Sequence, residues 1–155
     1  HRYCSHRNQK RYPSPPPCLT MDLYADNILD HYRDPRNRGK GQGASITGTE
    51  NNPSCGDNLT VHLWIQNNIV EKIEWEGTGC AISQAGMSIF AEEFEGHSAD
   101  ALLKMKKSDI YELLGVPVGP RRFKCALICL HTIKNALRKH SGKNPQSWLE
   151  TVEIE

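Results

Sequence analysis

Three cysteines in different parts of the chain carry the side chains best suited to chemistry. Cys55 follows Asn-Pro-Ser, Cys80 follows Gly-Thr-Gly, and Cys125 lies in the last long stretch with helical apolar spacing. Thiolates are soft ligands that favour zinc, copper(I) and iron–sulfur units. Asp57 stands two residues after Cys55 and can add an oxygen ligand. These four residues therefore predict a site for a metal ion or a small iron–sulfur cluster.

The spacing of these cysteines is unlike that of a closed structural zinc site. Such sites usually contain short ligand pairs such as C-x₂-C, whereas these ligands lie far apart and depend on the whole fold to meet. A mixed set of three thiolates and one carboxylate is also more labile than four thiolates, which suits a protein that gives its metal away. The competing interpretation for each cysteine is a small buried hydrophobe. We favour that interpretation for Cys129, which lies one helical turn after Cys125 beside apolar residues.

The composition excludes several classes of protein. The 155 residues fit one domain, and the formal net charge of +1 gives no reason to expect nucleic acid or a membrane as partner. Six cysteines would suit a disulfide framework in a secreted chain, but the first twenty residues contain no apolar signal segment. We therefore expect reduced thiols and a cytoplasmic location. The histidines show no ligand spacing, so surface or structural roles are expected for them.

Residues 1–20 differ in composition from the rest. They are basic, lack acidic residues and include three consecutive prolines, which predicts a disordered lead segment containing the incidental cysteines Cys4 and Cys18. We favour the interpretation that this segment is sequence upstream of a natural start at Met21, and a transit peptide is the alternative. The domain itself is expected over residues 21–155.

The periodicity of residues 21–155 predicts an α+β fold, with a small three-stranded antiparallel sheet packed against helices. A short helix is expected up to Pro35, then a weak strand, and then a hairpin with Asn67-Asn68 at its turn. Four helices are expected to follow, the second and third capped by Ser98 and Ser108. The expected ranges are 22–34 for the first helix, 59–66 and 69–76 for the hairpin strands, and 82–95, 98–105, 108–114 and 121–139 for the later helices. The weak strand is expected within 43–57, where it runs into a loop. A hairpin brings its outer ends together, so Cys55 and Cys80 should be neighbours, and the last helix can bring Cys125 to the same end of the sheet.

Four segments together resemble a known family. Tyr24 to Gly39 is similar to the N-terminal helix and loop of the U-type iron–sulfur cluster assembly scaffolds, which comprise IscU, SufU and the N-terminal domain of NifU. Three further runs resemble the ligand loops of that family: Asn52-Pro-Ser-Cys-Gly-Asp57, Gly79-Cys-Ala-Ile-Ser83 and Lys124-Cys-Ala-Leu127. The resemblance covers about residues 22–140 in unbroken order, and it implies a SufE/NifU-like fold.

The resemblance implies a function and its residues. Cys55, Cys80 and Cys125 match the cluster-binding cysteines, and Asp57 matches the aspartate that tunes cluster lability and can ligate zinc. Such a protein is a scaffold and carrier rather than an enzyme acting on a small substrate. It takes sulfur from a cysteine desulfurase, assembles a [2Fe-2S] cluster from iron and that sulfur, and passes it to apo iron–sulfur proteins. The alternative is a SufU-like sulfurtransferase, with zinc at the same four residues.

Two departures from the IscU pattern stand out. Lys124 precedes the third cysteine where IscU-type proteins have histidine, as in SufU-type proteins, although the SufU insertion between the second and third cysteines is absent. The segment that the specialised Hsp70 chaperone recognises in IscU is replaced by Val116-Pro-Val-Gly-Pro120, which makes that partnership doubtful.

The persulfide acceptor is predicted to be Cys125. A helix N-terminus and the cations of Arg121, Arg122 and Lys124 would favour its thiolate. Cys55 is the alternative, because Gly56 makes it accessible although Asp57 opposes its ionisation.

Overall fold

The computed structural model describes residues 17–52 and 56–153, within which the chain forms six helices and three strands. In chain order these are α1 (Pro17–Arg33), β1 (Ile46–Asn52), β2 (Asp57–Gln66), β3 (Ile69–Thr78), α2 (Ala81–Phe94), α3 (Ala99–Leu103), α4 (Lys107–Leu114), α5 (Phe123–His140) and α6 (Trp148–Glu153). None of the helices in these ranges is long and apolar enough to cross a membrane.

The sheet is antiparallel, with strand order β1-β2-β3. Leu59, Val61 and Leu63 alternate along the central strand β2 and are fully buried, because every second side chain points to the covered face. Asn67 and Asn68 form the β2–β3 turn with φ of 54° and 62°, a conformation that asparagine tolerates. The predicted three-stranded α+β fold is confirmed.

Helix α5 covers β1 and β2, α2 packs against α5, and α1 packs against α2. The approach of α5 to β1 is close at Gly48, where a Cβ atom would lie 2.9 Å from the Cβ of Ala136. An ordinary side chain there would push the helix off the strand. This contact matters for function because β1 ends, and α5 begins, beside the predicted ligands.

Two helix N-termini differ from the sequence predictions. Helix α1 begins at Pro17, inside the segment expected to be disordered, because proline has no N–H to leave unsatisfied at the first helical position. Residues 17–20 of that segment are thus helical, and residues 1–16 lie outside the described ranges. Ser108 is not the N-cap of α4: the cap is Lys106, whose N–H donates to the Asp109 carboxylate at 2.8 Å.

Helix α6 was not predicted from the sequence. It has only six residues, too few for a helical apolar period to stand out. Contacts with α5 and α4 hold it in place.

Candidate metal centre

The first part of the site is the connection between β1 and β2. Asn52 and Asp57 are paired residues at the end of the β1–β2 ladder. The Gly56 N–H donates to the Asn52 carbonyl at 2.9 Å, and Gly56 has φ of 74°, which favours glycine. Cys55, the first predicted ligand, belongs to this connection but lies outside the described residues. The local fold thus places Asp57 at the start of β2 with its side chain buried.

The second part is the passage from β3 into α2. Gly79 has φ of 151°, and a Cβ atom there would lie 2.4 Å from Asp57 Oδ1. Glycine therefore lets the chain turn against the carboxylate. Cys80 follows as the N-cap of α2, with extended backbone, and its side chain is half-buried.

The third part is the start of α5. Cys125 lies in the first turn of this helix and is 1% exposed. Lys124 places its ammonium 5.9 Å from the ring centre of Trp148 in α6. Arg121 and Arg122 are exposed.

These three parts of the fold bring donor atoms of Asp57, Cys80 and Cys125 together. One carboxylate oxygen and the two sulfurs lie within 4.8 Å of one another. A tetrahedral zinc with Zn–S bonds of about 2.3 Å holds its sulfurs about 3.8 Å apart, so a small adjustment of side chains would suffice. Two soft thiol ligands and one hard oxygen, held by three elements, have the donor chemistry of a zinc or iron–sulfur site.

The Asp57 carboxylate is buried, and both of its oxygens accept hydrogen bonds from protein groups. Its Oδ1 accepts a hydrogen bond from the Cys80 N–H at 3.0 Å and lies 3.1 Å from the Ser83 hydroxyl oxygen. The Ser83 hydroxyl also lies 3.0 Å from the Cys80 carbonyl, so its single proton can be donated to either acceptor. Its Oδ2 accepts from the side-chain amide of Asn52 at 3.1 Å. The carboxylate also faces the N-terminus of α2, where the helix dipole favours negative charge. Each carboxylate oxygen thus accepts at least one N–H donor, which fixes the orientation of the carboxylate beside Cys80 and Asn52.

Asn52 is the other buried polar residue of the site. It is fully buried, and its Nδ2 lies 3.1 Å from Asp57 Oδ2 and 3.8 Å from Cys125 Sγ. Among the described residues, its Oδ1 is one of two buried side-chain nitrogen or oxygen atoms without a hydrogen-bond partner. An unsatisfied buried polar atom of this kind costs about 1–3 kcal/mol. The site therefore contains one buried oxygen, Asn52 Oδ1, that forms no hydrogen bond with the described residues.

The sequence predictions for this site have three different outcomes. Asp57, Cys80 and Cys125 come together as expected, whereas Cys55 cannot be placed. Cys129 lies in the apolar core, where burial raises the pKa of its thiol to about 12, so the prediction of a core role is confirmed. Cys125, the predicted persulfide acceptor, is buried in this conformation.

Sequence reasoning assigned no role to Asn52 or Ser83. Both lie inside the motif runs, but their importance depends on the β1–β2 register and on the approach of α2 to Asp57. One feature of the sequence points to Asn52. It lies five residues before Asp57, a spacing at which a short hairpin loop pairs the two residues at its ends.

Comparison with known proteins defines the class of protein that carries this fold and site. The family model of the NifU-like N-terminal domain matches residues 23–147, and the chain belongs to that family. A zinc-dependent sulfurtransferase, SufU, of Bacillus subtilis is 33% identical over 139 residues, which cover 79% of this chain and 94% of that protein. An iron–sulfur cluster assembly scaffold protein, IscU, of Thermotoga maritima is 29% identical over 135 residues, covering 77% of this chain and 95% of that protein.

Solved structures show the same fold. A SUF-system scaffold protein from Fervidobacterium islandicum superposes with a TM-score of 0.65 at 24% identity, covering 72% of this chain and 94% of that chain. The N-terminal part of a NifU-like protein from Brucella abortus gives 0.66 at 22% identity, covering 81% and 99%.

Proposed function

We propose that this protein is a scaffold on which a [2Fe-2S] cluster is assembled and from which it is passed to apo-proteins. Residues 21–155 form the scaffold domain, and the cluster or its iron is held by Cys55, Asp57, Cys80 and Cys125. The sulfur comes from a cysteine desulfurase. The family and the relatives named as assembly scaffolds support this proposal.

The observation that carries the proposal is the convergence of one carboxylate and two thiols from β2, α2 and α5 within 4.8 Å. Nothing in the packing of an apolar core requires two cysteines beside a buried carboxylate. Thiolates hold iron strongly, while the single oxygen ligand is the weaker bond. A site of this composition retains iron during assembly and can release a finished cluster to a recipient with more thiolates.

Sulfur arrives by persulfide exchange. A thiolate of the scaffold attacks the outer sulfur of the desulfurase persulfide, a new S–S bond forms on the scaffold, and the desulfurase cysteine leaves as a thiolate. Cys125 is the proposed acceptor and Cys55 the alternative. Because Cys125 is 1% exposed, transfer to it requires the partner to open the start of α5. Reduction of the bound sulfur to sulfide then takes two electrons from an external donor.

Anaerobic reconstitution tests the function. The protein is incubated with ferrous iron, cysteine, a cysteine desulfurase and a reductant, and the cluster is followed by its visible absorption and by transfer to an apo-ferredoxin. We expect one transferable cluster, and none in Cys80→Ser. A parent protein that acquires persulfide but never forms a transferable cluster would contradict the scaffold function.

The second candidate is a zinc-dependent sulfurtransferase. It is favoured by the 33% identity to the SufU sulfurtransferase and by Lys124 before the third cysteine. The same four residues would hold zinc, which keeps the thiols ionised and masks them until a ligand is exchanged. Zinc-loaded protein would then accelerate desulfurase turnover, and the zinc-free protein would not.

The partners follow from either function. They are a cysteine desulfurase and, for the scaffold, apo iron–sulfur proteins. The connection between α4 and α5 carries Val116 to Pro120 in place of the chaperone-recognised segment, so we do not expect the specialised Hsp70 to stimulate transfer. A cytoplasmic location remains a prediction.

A further inference from the structure

We propose that Asn52 is the positioning residue of the metal centre, a role that rests on the proposed function. Its side chain holds Asp57 and Cys125 at the distance a metal or cluster requires. It also compensates the negative charge that these two groups carry once a metal is bound.

Asn52 contacts several parts of the site at once. Its backbone carbonyl accepts from the Gly56 N–H and thereby closes the connection that contains Cys55. Its Nδ2 lies 3.1 Å from Asp57 Oδ2 and 3.8 Å from Cys125 Sγ. One residue at the end of β1 thus contacts two of the proposed ligands, Asp57 at the start of β2 and Cys125 in the first turn of α5.

The Asn52 amide also suits the charges of the ligands it contacts. A carboxylate and a thiolate within 4.8 Å of each other repel when both are ionised, and a buried site has no water to screen them. An amide nitrogen has two protons and can donate one to each group. Hydrogen bonds to charged acceptors are the strong kind. The Asn52 amide nitrogen can therefore donate to the Asp57 carboxylate and to the Cys125 sulfur at the same time, which holds the two ligand atoms close together.

The oxygen of the Asn52 side chain shows what orients the amide. Asn52 is fully buried, and its Oδ1 has no hydrogen-bond partner among the described residues. An apolar side chain would fill the same space without leaving an oxygen unsatisfied. Buried unsatisfied groups are rare and usually have a functional reason. Here the amide is oriented by what its nitrogen contacts, at the expense of its oxygen.

The adjacent residue supplies a matched control. Asn51 is the same residue type on the same strand but is exposed, and its side chain bonds Asn58. Its backbone carbonyl accepts from the Trp148 indole N–H at 3.1 Å, a bond that substitution of the side chain leaves in place. Asn51→Ala therefore changes the strand end without touching the ligands.

The first experiment measures zinc affinity by competition with a chromophoric chelator in the parent, Asn52→Ala and Asn51→Ala. Loss of a hydrogen bond to metal ligands typically costs about 10- to 100-fold in affinity, and we expect this for Asn52→Ala alone. Cobalt(II)-loaded Asn52→Ala should also show its thiolate-to-metal band at longer wavelength, because the sulfur loses a donor. Equal affinities and equal spectra for the two variants would overturn the proposal.

A second measurement uses only the parent protein, in case Asn52→Ala does not fold. The protein is isotopically labelled and loaded with an NMR-active cadmium isotope. The side-chain amide protons of Asn52 should shift on loading and show coupling to cadmium through Cys125 Sγ, while those of Asn51 stay unchanged. An Asn52 amide that neither shifts nor couples would refute the positioning role.

These readouts separate the two proposals. A parent that forms a transferable cluster, with an Asn52→Ala variant that binds zinc as tightly as Asn51→Ala, would refute the role of Asn52 and keep the scaffold function. A parent that forms no transferable cluster, with a weakened Asn52→Ala site, would refute the scaffold function and keep Asn52 as the residue that positions the metal ligands.

Discussion

Two buried polar clusters join β1 to α5, and they are built in opposite ways. The ligand cluster contains Asn52, Asp57, Cys80, Ser83 and Cys125. The α6 clasp contains Glu50, His131, Asn135, Trp148 and Thr151. Both draw on β1 residues that lie two positions apart and on residues of the same helix. Their composition and their hydrogen bonding differ.

The α6 clasp is fully connected. The Nδ1 of His131 lies 2.7 Å from the Thr151 hydroxyl, its Nε2 lies 3.2 Å from the Glu50 carboxylate, and Trp148 stacks on its ring at 4.1 Å. The amide of Asn135 donates to Glu50 and accepts from the Gln146 N–H. A satisfied polar network rigidifies the structure around it, which is the expected role of a clasp for α6.

The ligand cluster is not closed in this way. It contains two thiols beside a carboxylate and an amide oxygen without a partner among the described residues. Burial of polar groups therefore does not by itself identify a metal site, because the α6 clasp is also buried and polar. The informative feature is the chemistry of the donors, because two thiols beside a carboxylate are soft and hard metal ligands, whereas the α6 clasp contains only groups that bond one another. Four substitutions or titrations test whether the two clusters differ in this respect.

The largest effect is expected for Cys125→Ser. Zinc sites held by four protein ligands bind with about 10–16 kcal/mol, so one ligand contributes about 2.5–4 kcal/mol, or about 10²–10³ in affinity. Chelator competition measures this. The same competition on His131→Gln, in the α6 clasp, should give the parent affinity. Tight zinc binding by Cys125→Ser would show that Cys125 is not a ligand.

The next effect concerns Asp57→Ala. Its removal leaves the donors of Asn52 and Cys80 without their acceptor, at a cost of about 1–3 kcal/mol of unfolding free energy. On the proposed function, the cluster should live longer and transfer more slowly, because the weak oxygen ligand is lost. Denaturant unfolding and transfer to apo-ferredoxin measure the two effects, with exposed Glu71→Ala as control. Faster cluster loss than in the parent would count against an exchangeable Asp57.

A smaller effect is expected for Cys129→Ala. The thiol is fully buried in the core, one turn from Cys125, and donates to the Ala126 carbonyl at 3.6 Å. Removing it should cost on the order of 1 kcal/mol and leave metal affinity unchanged. With a pKa of about 12, Cys129 should also resist alkylation in the folded protein at neutral pH. Loss of metal from Cys129→Ala would mean that the ligand set is misassigned.

The comparison also explains what the sequence could predict. The sheet and its hairpin followed from the alternation of Leu59, Val61 and Leu63 and from the Asn67-Asn68 turn, because strand period and turn chemistry are local. The meeting of Cys80 with Cys125 followed from topology and from the resemblance. The roles of Asn52 and Ser83 did not, because they depend on side-chain distances between elements. The sequence also did not predict the burial of Cys125 or the α6 clasp, because both depend on how short segments pack.

The smallest effect is a pH dependence that belongs to the α6 clasp. Burial lowers the pKa of His131, and the nearby Glu50 carboxylate opposes that shift without overcoming it. In the unfolded chain the histidine has a pKa of about 6.5. As the pH falls below that value, His131 binds a proton in the unfolded state but not in the folded state. The unfolding free energy therefore decreases, and the decrease ends once the pH is below the pKa of His131 in the folded state. Denaturant unfolding across this window should show the decrease in the parent and a smaller one in His131→Gln. An identical decrease in both would assign the pH dependence to other groups, and an increase with falling pH in the parent alone would mean that the Glu50 carboxylate dominates and that His131 is charged in the clasp.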